Sequence, residues 1–350
     1  MRNLQQHIDT GAPSRAATTG PTRWTRKSWL RAAAGLAAGA CMAGSWGTAA
    51  AAGDPMHVLV PFPAGGAADF VARILADKLR VELDRPVLIE NKPGAGGRVA
   101  AEALKQAKPD GKTVLLSAME PLIIAPAIYP NLRFNPNTDF TPVTDVASFV
   151  FCVVVAGNSP YNNLAEYLQA ARTTPENAMI GITSPGSIGH FFAYDFGRTV
   201  KLDKISMVPF QGAPGLITNL IGGQVPAVID GSTAFAEQHR NKKLRILALS
   251  STQRLPGLPD VPTFAESGYP SLVASATTVL YAPAATPQPQ MAMWHQAMRK
   301  VLAQPDVRAK LQRNGYIVSE GASSQEVVDK ARGVAERLLP IVKATGFKGD

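Results

Sequence analysis

Cysteine is scarce in this sequence, where Cys41 and Cys152 are the only two among 350 residues. Because Cys41 lies in an N-terminal segment that we expect to be removed, Cys152 has no partner, which excludes a fold held together by disulfides. Cys152 stands in the apolar run 149–155, a setting typical of a small buried side chain. A reactive thiol needs exposure and a neighbouring base, and nothing in this run supplies either.

Charged residues are also few, at 17% of the chain. Residues 1–52 hold six basic residues and one acidic residue, so they carry +5 of the net charge of +9. The remainder holds 29 basic and 25 acidic residues, an excess too small and too scattered for a nucleic-acid partner. Its four histidines, at positions 57, 190, 239 and 295, show no metal-ligand spacing. We therefore expect neither a metal nor a cofactor.

Residues 1–52 have the layout of a signal peptide: a basic stretch, an uncharged stretch and a site rich in small residues. The basic stretch 25–31 is similar to a twin-arginine signal, but Lys27 replaces the second arginine, so a general secretory route stays open. A membrane anchor is disfavoured because the uncharged stretch is mostly Ala and Gly. Lipid attachment at Cys41 is disfavoured because no bulky residue precedes it. We expect cleavage near residue 52 and release into the periplasm.

Short apolar runs alternate with amphipathic stretches along the rest of the chain. The runs 57–61 and 87–89 predict buried strands, and the helical periods of residues 67–83 and 98–106 predict helices. With 46% apolar residues the chain can build a sizeable core. The alternation indicates an α/β fold whose mostly parallel sheets are flanked by helices.

Two segments look like crossings between lobes. They are Val153–Pro160 and Val279–Pro283, and three helical periods follow the second one. We predict a discontinuous lobe 1 of residues 53–154 with 282–350, and a lobe 2 of residues 155–281. Two crossing segments can bend together as a hinge.

The segment 61–69, with the sequence PFPAGGAAD, follows a predicted strand and opens a predicted helix. A Gly-rich turn at such a place exposes backbone N–H groups at a helix N-terminus, which favours an anion. It does not have the pattern of a nucleotide-binding loop. Asp69 has two interpretations that do not exclude each other: it stabilises the helix start, or it faces the cleft and holds an ammonium or hydroxyl group of a ligand.

The segment 183–190, with the sequence TSPGSIGH, is the counterpart in the second lobe. Ser184, Ser187 and the glycine amides offer hydrogen-bond donors to an anion, although Ser187 is also a suitable helix N-cap. A hydrolase with Ser187 and His190 is a distant alternative, because Gly-x-Ser-x-Gly is absent and no acidic partner stands out. The turns 210–215 and 230–233 also join a strand to a helix, and either line the cleft or serve as ordinary turns.

Eight stretches in order resemble one family, the Bug-type receptors of tripartite tricarboxylate transporters, from about residue 56 to 348. The stretches are PFPAGGAADFVAR at 61–73, ENKPGAGG at 90–97, PDGKTVLL at 109–116, DFTPVTDVA at 139–147, GSIGH at 186–190, VPFQGAPGLITNLIGGQVPAVID at 208–230, LPDVPTFAESGYP at 258–270 and APAATP at 282–287.

The resemblance implies a two-lobed, type II (Venus-flytrap) periplasmic-binding fold and no chemistry on the ligand. It also implies that the loops at 62–69 and 184–190 close on a carboxylate of a small ligand. A membrane transporter is the implied partner, a periplasmic sensor kinase is the alternative, and a monomer is the default state. The predicted ligand-binding residues are Phe62, Pro63, Ala64, Gly65, Gly66, Asp69, Ala118, Met119, Ser184, Gly186, Ser187, Gly189, His190, Gln211, Gly212, Ala213 and Asp230.

The chain departs from the family at several of these places. Ala64 replaces a usual proline, and Met119 and Glu120 follow Ala118 where a hydroxyl or amide is typical. If Glu120 points inward, it disfavours a second ligand carboxylate and favours a cationic or neutral tail. The alternative is that Glu120 begins the next helix at the surface.

Overall fold

The computed structural model describes residues 53–183, 185–202 and 205–349. The predicted signal peptide and Ser184 lie outside these residues. Residues 52–350 cluster as one unit. The strands are β1 (Met56–Val60), β2 (Val87–Asn91), β3 (Thr113–Ala118), β4 (Phe140–Ala156), β5 (Met179–Ile182), β6 (Ser206–Pro209), β7 (Ala227–Gly231), β8 (Leu244–Leu249), β9 (Ser275–Pro283) and β10 (Ile317–Val318).

Helices follow most of the strands, as the sequence period predicts. They are α1 (Ala67–Glu82), α2 (Arg98–Gln106), α3 (Met119–Ile128), α4 (Pro136–Asp139), α5 (Leu164–Thr173), α6 (Ile188–Thr199), α7 (Gly212–Ile221), α8 (Ala236–Arg240), α9 (Gln288–Leu302), α10 (Pro305–Arg313) and α11 (Ser324–Thr345). Among the described residues, no helix has both the length and the apolar character needed to cross a membrane.

One mixed sheet organises the described residues, in the order β2-β1-β3-β9-β4-β7-β5-β6, with β8 and β10 also paired to β4. β1 is parallel to β2 and β3, and β5 is parallel to β6 and β7. β9 is antiparallel to β3 and β4, and β4 is antiparallel to β7. The two parallel groups therefore run in opposite directions along the sheet.

The register shows that β1 and β5 point toward each other along β4. Leu59 aligns through β3 and β9 with Pro142, and Gly181 aligns through β7 with Val154. β1 runs toward higher residue numbers of β4, whereas β5 runs toward lower ones. Because ligands bind outside the carboxyl ends of strands in open α/β sheets, the middle of β4 lies under the expected cleft.

Separate hydrophobic clusters lie along the two halves of the sheet. β4 contributes Val143, Val146 and Ala147 to the cluster on β1, α1 and α9, whereas its residues from Val150 on belong to two other clusters. On β9 the change from one hydrophobic cluster to another lies between residues 276 and 279. The division into lobes at 154/155 and 281/282 stays a prediction, and the clusters favour boundaries a few residues earlier at both crossings.

Two elements differ from the sequence expectation. The predicted strand 149–155 is part of a 17-residue strand, since residues from Phe140 onward pair with β9; Pro142, within this part, lies next to a register shift in the ladder. The expected strand-to-helix turn at 230–233 leads first into a 3-10 turn at Ser232–Ala234 and then into the short α8. Cys152 is fully buried and unpaired, as its apolar surroundings predicted.

Candidate functional site: two glycine turns at facing strand ends

The first candidate binding loop, loop A (residues 61–66), joins β1 to α1. Residues 62 to 65 are exposed, and Gly65 has φ of +82°, a conformation that glycine adopts without strain. Gly66 is the N-cap of α1 and makes no side-chain cap hydrogen bond. Loop A therefore places the positive end of a 16-residue helix dipole at the sheet edge.

Asp69 holds loop A from inside the protein. It is 1% exposed, and its Oδ2 accepts hydrogen bonds from the Gly65 amide and from Arg73 Nε, each at 2.8 Å. Its Oδ1 accepts from Asn91 Nδ2 at 3.0 Å, and the same amide donates to the Phe62 carbonyl at 3.0 Å. The Arg73 guanidinium and these amides hold the pKa of Asp69 below its usual range. Both carboxylate oxygens are thus engaged by the protein, which disfavours the interpretation that Asp69 holds a ligand group. Asp69 lies in the first turn of α1, and its hydrogen bonds also position loop A.

The second candidate binding loop, loop B (residues 183–187), joins β5 to α6. Gly186 has φ of +76°, and its amide donates to His190 Nδ1 at 3.0 Å. Ser187 is the N-cap of α6, because its Oγ accepts from the His190 amide at 3.1 Å. Loop B therefore places the N-terminus of a 12-residue helix opposite loop A.

His190 supports loop B structurally. Since its Nδ1 accepts a hydrogen bond, the neutral ring carries its proton on Nε2. Burial lowers the pKa of this histidine, which keeps the ring neutral. A base that activates Ser187 would need a free ring-nitrogen lone pair directed at Oγ, but the lone pair on Nδ1 accepts the Gly186 amide and Nε2 carries the proton. This geometry disfavours the hydrolase alternative.

Asp230 ends β7 beside loop B. Its Oδ1 accepts from the Gly231 amide at 2.7 Å, and a Cβ added to Gly189 would lie 3.5 Å from the same oxygen. Burial raises the pKa of Asp230 to about 6, although the Gly231 amide and the Thr183 side chain partly offset this effect. An acidic group whose charge changes near neutral pH therefore lies next to the N-terminus of α6.

A chain of contacts joins loop A to Asp230 across the crossing strands. The Tyr316 hydroxyl donates to the carbonyl of Ala67, directly after loop A, at 3.1 Å. The Tyr316 ring meets the Phe149 ring edge-on, with centroids 6.3 Å apart. The Phe149 ring lies so close to Gly231 that a Cβ there would be 2.7 Å from it. Phe149 thus lies between Tyr316 and Gly231 in this chain of contacts.

The remaining predicted ligand-binding residues do not all lie beside loop A or loop B. Gln211, Gly212 and Ala213 start α7 at the end of the edge strand β6, and they are exposed or partly exposed. Ala118 is partly exposed at the end of β3. Met119 is 1% exposed and packs in the cluster with Leu59. The side chain of Met119 therefore belongs to the core instead of the cleft.

Glu120 begins α3, but of its two interpretations the surface position is wrong, because the residue is 1% exposed. Its Oε1 accepts from the Thr277 amide of β9 at 2.9 Å. The apolar sequence of α3 explains this position, since the helix has buried residues on several sides.

Sequence reasoning missed the C-terminal segment. The Phe347 ring lies against loop B, where a Cβ on Gly186 would be 2.6 Å from it, and it meets the His190 ring edge-on at 5.6 Å. Two residues later, the Gly349 amide donates to the carbonyl of Ile128 in α3 at 2.9 Å. The segment after α11 therefore connects loop B with α3.

Asn91 was also missed as an organiser of the site, although it lies in a stretch that resembles the family. An asparagine before a turn has many structural roles, so the sequence does not reveal its contact with a loop 29 residues away. Among the described residues, no group of three or more His, Cys, Asp or Glu side chains is arranged to hold a metal.

The fold and this pair of facing loops define a class, the periplasmic binding proteins. The solved structure of the periplasmic binding protein BugD has a TM-score of 0.76 and 28% identity, over 85% of this chain and 99% of that one. MatC from Rhodopseudomonas palustris, solved with bound malate, has a TM-score of 0.73 and 30% identity, over 82% of this chain and 98% of that one.

The particular family follows from the sequence comparison. The family model for the tripartite tricarboxylate transporter family receptor matches residues 71–347. The protein BugT of Bordetella pertussis is 30% identical over 303 residues, which cover 84% of this chain and 90% of BugT. The chain belongs to this receptor family, and the resemblance stated from its motifs is confirmed.

Proposed function

We propose that this protein is an exported receptor that captures a small carboxylate between loop A and loop B for a tripartite tricarboxylate-type transporter. The observation that carries the proposal is the pair of glycine turns at helix N-termini, placed at strand ends that face each other along β4. Membership in the receptor family and the malate bound to MatC support it. In this proposal the protein acts as a monomer in the periplasm and performs no catalysis.

The mechanism is closure of two lobes, residues 53–154 with 282–350 and residues 155–281, around the ligand. One carboxylate lies between the N-termini of α1 and α6, so it stabilises the closed form by more than the free energy that closure requires. Asp69 and Asn91 hold loop A in its binding geometry before the ligand arrives. Preformed loops reduce the entropy lost on binding.

The test is a thermal-shift and calorimetric screen of the purified exported protein against mono-, di- and tricarboxylates, aromatic acids and amino acids. At a ligand concentration of about 100 times Kd, binding adds about 2.7 kcal/mol to the free energy of unfolding. We expect at least one carboxylate class to raise Tm by several degrees. If no compound of the panel changes Tm or gives a binding signal with folded, ligand-free protein, the carboxylate proposal is wrong.

The matched variants are Gly65→Asp and Gly223→Asp. Both glycines are exposed, have positive φ (+82° and +72°) and have no atom within 4 Å of an added Cβ. Gly223 follows the C-terminal end of α7, far from both loops. We expect Gly65→Asp to abolish carboxylate binding, because it adds a negative charge at loop A, and Gly223→Asp to bind normally. Equal binding by the two variants would exclude loop A from the site.

A further inference from the structure

A second cavity lies on the side of α6 that faces α11. It has a volume of about 70 Å³ and opens to solvent. Three phenylalanines supply much of its wall, Phe151 of β4 with Phe191 and Phe192 of α6, and α11 adds Leu338 and Ile341. None of the predicted ligand-binding residues that the structure describes lines this cavity. The cavity is thus separate from the two glycine turns, although Ile188 next to Ser187 borders it.

The most buried charged side chain on the wall of this cavity is Glu120, which is 1% exposed. One oxygen, Oε1, accepts from the Thr277 amide at 2.9 Å. The other, Oε2, is buried and has no hydrogen-bonding partner among the described residues. An unpaired buried carboxyl oxygen is costly, so the protein retains a polar group here that a bound molecule can satisfy.

The charged groups around Glu120 make the cavity more suitable for a cation than for an anion. Asp195 of α6 lines it, and burial raises the pKa of this aspartate. Lys330 of α11 is engaged by Asp145 at 2.9 Å, and Arg337 of the same helix is exposed where it borders the cavity. On β9, Tyr281 is a buried neighbour of Glu120. A ligand carboxylate inside the cavity would lie beside the carboxyl groups of Glu120 and Asp195, and each of these would repel it once ionised.

We propose that this cavity binds the ammonium group of a small organic amine, with the Glu120 carboxylate as counter-ion and the phenylalanine rings around its apolar body. An ammonium donates up to three hydrogen bonds and is attracted by aromatic faces. This inference goes beyond the carboxylate receptor function and does not depend on it. A single ligand that reaches both places would carry a carboxylate at one end and an amine at the other.

Proton linkage gives the proposal a distinctive signature. Burial raises the pKa of Glu120 to about 8, against the hydrogen bonds that lower it and the nearby Lys330. Glu120 is therefore largely protonated at pH 7 without an amine, whereas an alkylammonium of ordinary pKa is charged. Binding then releases close to one proton at pH 7, and affinity rises about tenfold per pH unit from pH 6 to near pH 8.

The experiment is isothermal titration calorimetry with benzylamine, benzyl alcohol and benzoate as probes that share one apolar body. Titrations at pH 6, 7 and 8 in two buffers of different ionisation enthalpy measure both affinity and proton release. The variants are Glu120→Gln, which keeps an oxygen for the Thr277 amide, and Glu336→Gln, the same change at an exposed residue of α11 outside the cavity.

We expect benzylamine to bind with the proton release and pH dependence above, to lose at least tenfold in affinity in Glu120→Gln, and to bind Glu336→Gln normally. No benzylamine binding, equal affinity for benzyl alcohol, or unchanged binding in Glu120→Gln would each overturn the proposal. Binding of benzoate that is insensitive to Glu120→Gln reports on the glycine turns instead. A result that refutes the amine site thus does not refute the carboxylate receptor proposal. A result that refutes the carboxylate receptor proposal likewise does not refute the amine site.

Discussion

Replacement of Glu120 by Gln should change the pH dependence of stability in a defined direction. Burial raises the pKa of Glu120 from 4.5 to about 8, so the folded protein keeps a proton that the unfolded chain releases. This group favours the folded state fully below pH 4.5, and its contribution is lost as the pH rises to about 8. At about 1.4 kcal/mol per pH unit, the loss is on the order of 5 kcal/mol.

The Glu120→Gln variant removes this titration while it keeps the shape of the side chain. Its amide oxygen still accepts from the Thr277 amide, and its NH2 group takes the place of the protonated Oε2. Between pH 5 and pH 8, the free energy of unfolding of the wild type should therefore fall by about 4 kcal/mol relative to the variant. The variant should be the more stable protein at pH 8.

Urea unfolding followed by circular dichroism at pH 5, 6.5 and 8 measures this difference directly. Other titrating groups are shared by the two proteins and cancel in the comparison. Glu336→Gln serves as the control, because it makes the same change at an exposed position of α11. A wild-type-minus-variant difference that stays constant within about 1 kcal/mol would show that Glu120 titrates normally, and the argument from its burial would be wrong.

Two further predictions concern the glycine turns. In Asp69→Ala, the Gly65 amide and the Asn91 side chain lose a charged acceptor, so the free energy of unfolding should fall by about 2–3 kcal/mol and carboxylate affinity should fall as well. Asp77→Ala, on the exposed side of the same helix, should change neither quantity in urea unfolding and calorimetry. An Asp69→Ala variant with the stability and affinity of the wild type would contradict the positioning role. Because burial raises the pKa of Asp230 to about 6, this residue becomes negatively charged above that pH, and carboxylate binding should weaken as the pH rises from 5 to 7. Calorimetry should show that this pH dependence is lost in Asp230→Asn. A pH dependence that persists in the variant would show that another group causes it.

The helix and strand pattern was largely predictable because it depends on local periodicity. The bounds of α1 and α2 match the predicted segments 67–83 and 98–106 within a residue. β4 was predicted as only half of its length, because its first part, residues 140–148, mixes polar and apolar residues and contains Pro142. That part forms a strand through pairing with β9, which is a long-range contact that no local pattern contains.

The candidate site was predictable in its loops but not in the roles of single side chains. Glycine turns between a strand and a helix are recognisable from sequence, and the structure shows positive φ at Gly65 and Gly186. The two interpretations of Asp69 could be separated only when Asn91 and Arg73 were found on its oxygens. Glu120 looked like a surface residue, since charged residues at helix starts usually are, and its burial depends on β9 and the helices around it.

The α/β pattern, the two glycine turns and membership in the receptor family can be predicted from the sequence, because they depend on residue spacing and on ordered motifs. What those turns face depends on the folded chain. The opposite directions of β1 and β5 follow from β9 and β4, which separate the two parallel groups of strands. The contact of Phe347 with Gly186 and the cavity around Glu120 arise where chain segments more than 100 residues apart meet. The burial of a side chain and the groups that it contacts depend on such long-range contacts, which exist only in the folded chain.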